Sequence, residues 1–206
     1  MRLLPCGDRA LLAEFDALEE ALAAHALWGS AAPPGVVELV PAARTVLVRI
    51  DPAAWGLGAA EQWLTAHEPD ATVDLPTAGL VTLPVIYDGD DLAAVAEAWG
   101  CSTLAVADRH AATEWVCAFI GFAPGFPYLV PVGATLPLVP RHATSRARVP
   151  AGSVALAAEY CGVYPRESPG GWQLIGRTDA VLWDAARPAP ALVTPGARVR
   201  FAAVRA

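Results

Sequence analysis

Between residues 116 and 201, proline and glycine recur every few positions, separated by short apolar runs. A proline inside a helix removes a backbone hydrogen bond and clashes with the preceding turn, and glycine adds chain entropy that folding must remove. A segment punctuated in this way cannot build long helices. It is suited to short strands joined by tight turns, the pattern of a β-barrel or sandwich. With 206 residues, 55% of them hydrophobic, and 7 Trp, 5 Phe and 4 Tyr to bury, the chain has enough material for a sizeable core.

The first 80 residues follow a different plan, β–α–β–α–β. Leu3-Leu4 and residues 10–15 flank a Gly7-Asp8 turn and read as a hairpin. Residues 17–28 place Leu18, Ala21, Leu22, His25 and Trp28 near one helical face, and Pro33-Pro34-Gly35 ends that helix. Residues 36–40 and 45–50 form a second hairpin. Residues 58–67 form an amphipathic helix with Ala59, Trp63 and Leu64 as its buried face. The expectation is a small α+β sandwich over residues 1–80. A second domain over residues 81–206 opens with a strand at 82–87. Asp88-Gly89-Asp90-Asp91 is expected to cap a helix over 92–99, and Ser102 to cap another over 103–113. The mainly β segment follows.

The charge is −7, from 14 cations against 21 carboxylates, with pI near 5.0, which argues against nucleic acid or acidic membranes as partners. All 14 cations are arginine. The absence of lysine removes Walker-type phosphate binding, Schiff-base chemistry and biotin attachment from this chain. Cys6, Cys101, Cys117 and Cys161 are scattered, with no CxxC pair. The N-terminus does not read as a signal peptide, and no apolar stretch reaches about 18 residues. The expected location is cytoplasmic.

Three clusters carry chemistry. Residues 119–129, FIGFAPGFPYL, form a rigid loop with aromatic walls, either a pocket wall or a tightly packed barrel corner. Residues 140–153 carry Arg141, Arg146 and Arg148 followed by Gly152-Ser153. This is either an anion site, with arginine forks and backbone donors, or an edge strand kept soluble by charge. Residues 164–178 run through Pro169-Gly170-Gly171 into a strand. Alternation there puts Trp172, Leu174 and Gly176 on one face and Gln173, Ile175 and Arg177 on the other, so either Gln173 and Arg177 line a common surface or the segment is an ordinary hairpin. His110 and Glu114 stand one helical turn apart and can pair, but no third ligand at recognisable spacing makes a metal site, and none is expected.

At these clusters the sequence resembles the allophanate hydrolase subunit 1 family, also called the carboxyltransferase subdomain C/D family. GFAPGFPYL, RVPAGSVA, GVYPRESPGGWQLIGRT and the closing TPGARVRF carry the likeness. CGDRALLAEF and LPVIYDGDDLAAVAEAWG extend it nearly end to end. The resemblance implies an α+β N-terminal domain followed by a mainly β, cyclophilin-like barrel. It implies one component of a heteromeric, ATP-dependent 5-oxoprolinase that opens 5-oxoproline to glutamate. The implied partners are an allophanate hydrolase subunit 2 or C-type 5-oxoprolinase protein, and an A-type one. Other members imply two alternatives: an allophanate hydrolase or urea carboxylase type carboxyltransferase subunit, or a non-catalytic Kip-type inhibitor that binds a histidine kinase. ATP is implied as shared with, or bound by, the partner.

A lactam is a poor electrophile, and phosphorylating its oxygen makes the ring carbon open to attack by water. Such chemistry needs cations for phosphate and donors for the developing oxyanion. The resemblance and this chemistry together suggest Arg177, Arg148, Gln173, Tyr164 and His110 as catalytic residues. Phe122, Pro124, Gly125, Phe126, Tyr128, Arg141, Gly152, Gly170, Gly171 and Trp172 are the corresponding substrate-binding candidates. One stretch departs from the family. Relatives commonly carry Gly-Gly-x-Gln-Thr-Gly where this chain has Ala157-Ala158-Glu159-Tyr160-Cys161-Gly162, which removes backbone freedom and two polar groups.

Overall fold

The computed structural model describes residues 1–69 and 78–204. The chain divides into two compact units, Met1–Pro76 and Thr77–Ala206. In the first unit, strands β1 (Arg2–Pro5), β2 (Ala10–Glu14), β3 (Val36–Pro41) and β4 (Thr45–Ile50) make an antiparallel sheet in the order β1-β2-β4-β3. Helices α1 (Leu18–Ala31) and α2 (Leu57–Ala66) pack on it. Strand alternation sends Leu11 and Ala13 of β2 and Val46, Val48 and Ile50 of β4 into one core with Ala21, Ala24, Trp28, Ala60 and Leu64 of the helices. Each large side chain buried there contributes roughly 1.5–3 kcal/mol. The helix expected at 58–67 forms, with Leu64 buried and Trp63 packed against the core as expected, but the buried alanine is Ala60 and Ala59 is exposed.

The second unit is built on a curled seven-stranded sheet. Its strands are β5 (Ala78–Val85), β6 (Glu114–Ile120), β7 (Pro127–Val132), β9 (Ser153–Ala157), β10 (Tyr160–Val163), β12 (Gln173–Arg177) and β13 (Ala197–Ala203), in the order β12-β9-β10-β7-β6-β13-β5. The curl brings the two outer strands back together. Ile86, just beyond β5, and Arg177 of β12 exchange both backbone hydrogen bonds at 2.9 Å. Closing edges in this way leaves fewer unpaired N–H and C=O groups for aggregation. Strands β8 (Arg146–Val149) and β11 (Ser168–Gly170) form a separate two-stranded ribbon. Helices α3 (Leu92–Ala98) and α4 (Thr103–Ala112) contribute Val95, Ala96 and Val106 to the main core. Among the described residues no helix is long and apolar enough to cross a membrane.

Ser102 caps α4 as expected, accepting from the Ala105 N–H at 3.2 Å. Asp91 stands at the start of α3 without capping it; its carboxylate turns instead toward β12. The segment 157–162 holds a two-residue turn between β9 and β10, and Ala158 adopts φ +49° in it. An alanine in the left-handed region costs about 1–2 kcal/mol, partly offset by its lower entropy when unfolded. Ala158→Gly is therefore expected to stabilise the chain by about 0.5–1 kcal/mol. A denaturation midpoint that fails to rise would show that the turn carries no such strain.

Candidate functional site

Strand β7 and the loops before β7 and β12 converge on one pocket in the second unit. Its cavity of about 300 Å³ is lined by Phe122, Phe126, Tyr128, Arg141, Ser145, Tyr164, Pro169, Gly170 and Trp172. Phe126 is the centre of the wall. Its ring makes edge contacts with Phe122, Tyr164 and Trp172 at 5.2, 5.1 and 5.3 Å and a tilted contact with Tyr128 at 5.2 Å. Such pairs add about 0.5–1.5 kcal/mol each beyond their buried area, so the wall is stiff. Phe122 is the exception in exposure, at 59%. It sits at φ +66° in a turn closed by the Ala123 N–H donating to Gly121 O at 2.7 Å. That γ-turn is strained for a bulky residue, and such strain clusters at functional sites.

The pocket's close fit depends on glycine. A Cβ on Gly170 would stand 2.2 Å from the Tyr164 hydroxyl, and one on Gly162 would stand 2.7 Å from Phe126. Gly152 has φ +79°, and its N–H donates to Tyr164 O at 2.7 Å. Gly170→Ala is expected to push the Tyr164 ring into Phe126 and to destabilise the protein by about 1–3 kcal/mol. An unchanged denaturation midpoint would mean that Tyr164 has room to swing away. Burial raises the pKa of both Tyr128 and Tyr164, and the Arg141 charge only partly opposes it. Both hydroxyls therefore stay protonated near neutral pH and can donate.

Arg141 is the pocket's one side-chain cation, and among the described residues no carboxylate pairs with it. A guanidinium at an aromatic pocket is suited to a carboxylate or phosphate in bidentate geometry. Ser145 adds a hydroxyl on the same segment. The site thus combines flat apolar walls, one free positive fork and a few hydroxyl groups.

Of the residues singled out from sequence, Phe122, Phe126, Tyr128, Arg141, Tyr164, Gly170 and Trp172 come together here. Gly171 lies beside them, its carbonyl accepting the His142 N–H at 2.8 Å. Pro124 and Gly125 complete the loop behind Phe126, with Gly125 at φ +77° against Trp183. The others stand elsewhere. Arg148 is exposed and paired with Glu167 at 3.3 Å, and Arg177 lies at the closing bridge with its side chain 3.0 Å from Asp88. Gln173 is buried, and its Nε2 donates to Pro140 O at 2.9 Å. A bulge between Leu174 and Gly176 breaks the two-residue alternation, so Gln173 and Arg177 do not share the surface expected of them.

His110 does not pair with Glu114, which bonds Arg198 at 3.2 Å instead. Its ring is fully buried between the Tyr87 hydroxyl, 2.8 Å from Nδ1, and the Cys161 thiol, 3.2 Å from Nε2. Burial pushes its pKa down to about 3 and raises that of Cys161, so the group is a neutral core network. Among the described residues no group of three or more candidate metal ligands is found. Two placements are not foreseen from the sequence: Ser145 lines the pocket, and Asp91, whose position suggests only a helix cap, bonds Arg146 and the Leu174 N–H. The signal for Asp91 is weak, an acidic residue whose arginine-rich partner segment lies far along the chain.

Comparisons with known proteins agree with this architecture. The family model for the carboxyltransferase domain, subdomain C and D, matches residues 1–193. A protein of Escherichia coli O157:H7 named as the B subunit of 5-oxoprolinase is 41% identical over 172 residues, covering 82% of this chain and 78% of that protein. The crystal structure of a protein called TTHA0988 superposes with a TM-score of 0.78 at 35% identity and covers 97% of this chain. This chain spans only 41% of that longer one. The K. lactis urea amidolyase superposes with a TM-score of 0.78 at 22% identity, over 98% of this chain and 15% of that one, which is a likeness of fold. Both the family match over residues 1–193 and the 41% identity lead to one conclusion: the chain belongs to the carboxyltransferase domain, subdomain C and D, family.

Proposed function

We propose that this protein is the B-type subunit of a 5-oxoprolinase, opening 5-oxoproline to glutamate together with C-type and A-type partner subunits. The observation that carries the reading is the unpaired Arg141 guanidinium at an aromatic pocket of about 300 Å³. 5-Oxoproline is a small, flat lactam with one carboxylate. Arg141 would take the carboxylate, the aromatic wall of Phe126 and Trp172 would back the ring, and the Tyr164 and Ser145 hydroxyls would bond the amide. The curled sheet closed at Ile86 and Arg177 supports a cyclophilin-like barrel for the second unit. The name of the E. coli relative favours this reading over carboxyl transfer or kinase inhibition.

ATP is the family's implied co-substrate. The pocket's single cation, and a chain without lysine, do not fit a nucleoside triphosphate alongside the lactam. We therefore assign nucleotide binding to the partner and give this chain the tasks of holding the lactam and excluding water. The test is to co-express the chain with its A-type and C-type partners and to measure 5-oxoproline-dependent ATP hydrolysis, with urea and allophanate as controls. Turnover with 5-oxoproline alone is the expected result. A stable complex that hydrolyses ATP with none of the three would reject the reading.

A further inference from the structure

Both polar side chains that the 140–146 segment gives to the pocket, Arg141 and Ser145, precede β8 in a stretch with no regular structure. A guanidinium on an untethered segment would lose orientational freedom on each binding event. This segment is held at three points. Gln173 Nε2 donates to Pro140 O at 2.9 Å, next to Arg141. The His142 N–H donates to Gly171 O at 2.8 Å. Arg146 Nη2 donates to Asp91 Oδ1 at 2.6 Å, and His142 Nε2 lies 3.1 Å from the same oxygen. The other oxygen of Asp91 accepts the Leu174 N–H at 2.7 Å, which ties the clamp to β12.

Both clamping side chains are buried, Asp91 at 6% exposure and Gln173 at 8%. Both are in polar settings that a purely packing role would not select. Among the described residues Gln173 Oε1 and Arg146 Nη1 are buried with no hydrogen-bond partner, and Asp91 leaves its own helix uncapped to reach the segment. A buried polar atom without a partner is costly, so its presence calls for a reason other than packing. We propose that Gln173 and Asp91 are positioning residues for Arg141, holding the 140–146 segment so that its guanidinium faces the pocket. The clamp's link to 5-oxoproline affinity rests on the function proposed above; the clamp itself does not.

Two near-isosteric variants test it in the assembled complex. Gln173→Met removes the donor to Pro140 while keeping length, and Asp91→Asn keeps shape while removing charge. Each is expected to raise KM for 5-oxoproline about 10-fold with kcat within about twofold. In an Arg141→Ala background the same changes are expected to move KM by less than about twofold, because they act through a side chain already gone. Amide hydrogen exchange of the full chain gives a readout independent of turnover. Exchange at residues 141–146 should rise in both variants while β6 and β13 keep their protection. Additive KM effects, or unchanged exchange in the segment, would overturn the proposal. If the wild-type complex does not turn over 5-oxoproline, the functional reading fails and hydrogen exchange still decides the clamp. If Asp91→Asn does not fold, Gln173→Met alone decides it.

Discussion

Arg141→Ala, in the assembled complex, is expected to raise KM for 5-oxoproline by a factor of about 10 to 150, corresponding to about 1.5–3 kcal/mol for a charge-assisted hydrogen bond. Arg141 is exposed and has no ion pair among the described residues, so its loss should leave the denaturation midpoint unchanged. Arg141→Lys should recover only part of the affinity, because an ammonium lacks the planar fork. Kinetics and thermal unfolding on the same preparations separate the two effects. Unchanged KM in Arg141→Ala would remove the pocket from the proposed reaction.

Acidification is expected to destabilise the chain well before ordinary carboxylates titrate. Folded His110 stays neutral down to about 3, whereas in the unfolded chain it takes up a proton near 6.5. Between those values the unfolded state binds more protons, so stability falls as pH falls, by about 1.4 kcal/mol per unit at most. Moving from pH 7 to 4 therefore costs roughly 3 kcal/mol through this one ring. His25, whose pKa burial also lowers, acts in the same direction. Asp91 takes over at lower pH. Burial works to raise its pKa, but the Leu174 N–H, Arg146 and His142 together hold it below 3.8. Its contribution is present above that value and is lost as pH falls through the folded pKa. Denaturation midpoints measured from pH 7 to 4 should show this slope, and His110→Gln should flatten it at the expense of overall stability. An equal slope in wild type and variant would assign the acid sensitivity to other groups.

The aromatic part of the site is legible in the sequence because its residues are consecutive. Phe122, Phe126 and Tyr128 lie within one proline- and glycine-punctuated segment, and Tyr164, Gly170 and Trp172 within another. Local constraint on the backbone is enough to mark such segments. The two hairpins and two helices of the first unit are legible for a similar reason, since periodicity reports which face is buried. The exceptions are informative. The bulge in β12 separates Gln173 from Arg177, and alternation cannot foresee an inserted residue. His110 has the look of a reactive histidine upstream of the aromatic loop, but α4 turns it into the core against Cys161 of β10.

By itself the sequence determined the punctuation that forbids long helices after residue 116, the burial pattern of the first unit, and a chain whose every side-chain cation is arginine. Those are local properties, fixed by backbone stereochemistry, periodicity and composition. Only the tertiary structure decided which of the arginines stands free at a pocket. Arg148 finds Glu167, Arg177 finds Asp88 and Arg146 finds Asp91, while Arg141 has no carboxylate partner among the described residues. Two of those partners lie more than 50 positions away in sequence. Pairing between groups so far apart depends on how the sheet curls, and no local pattern encodes that.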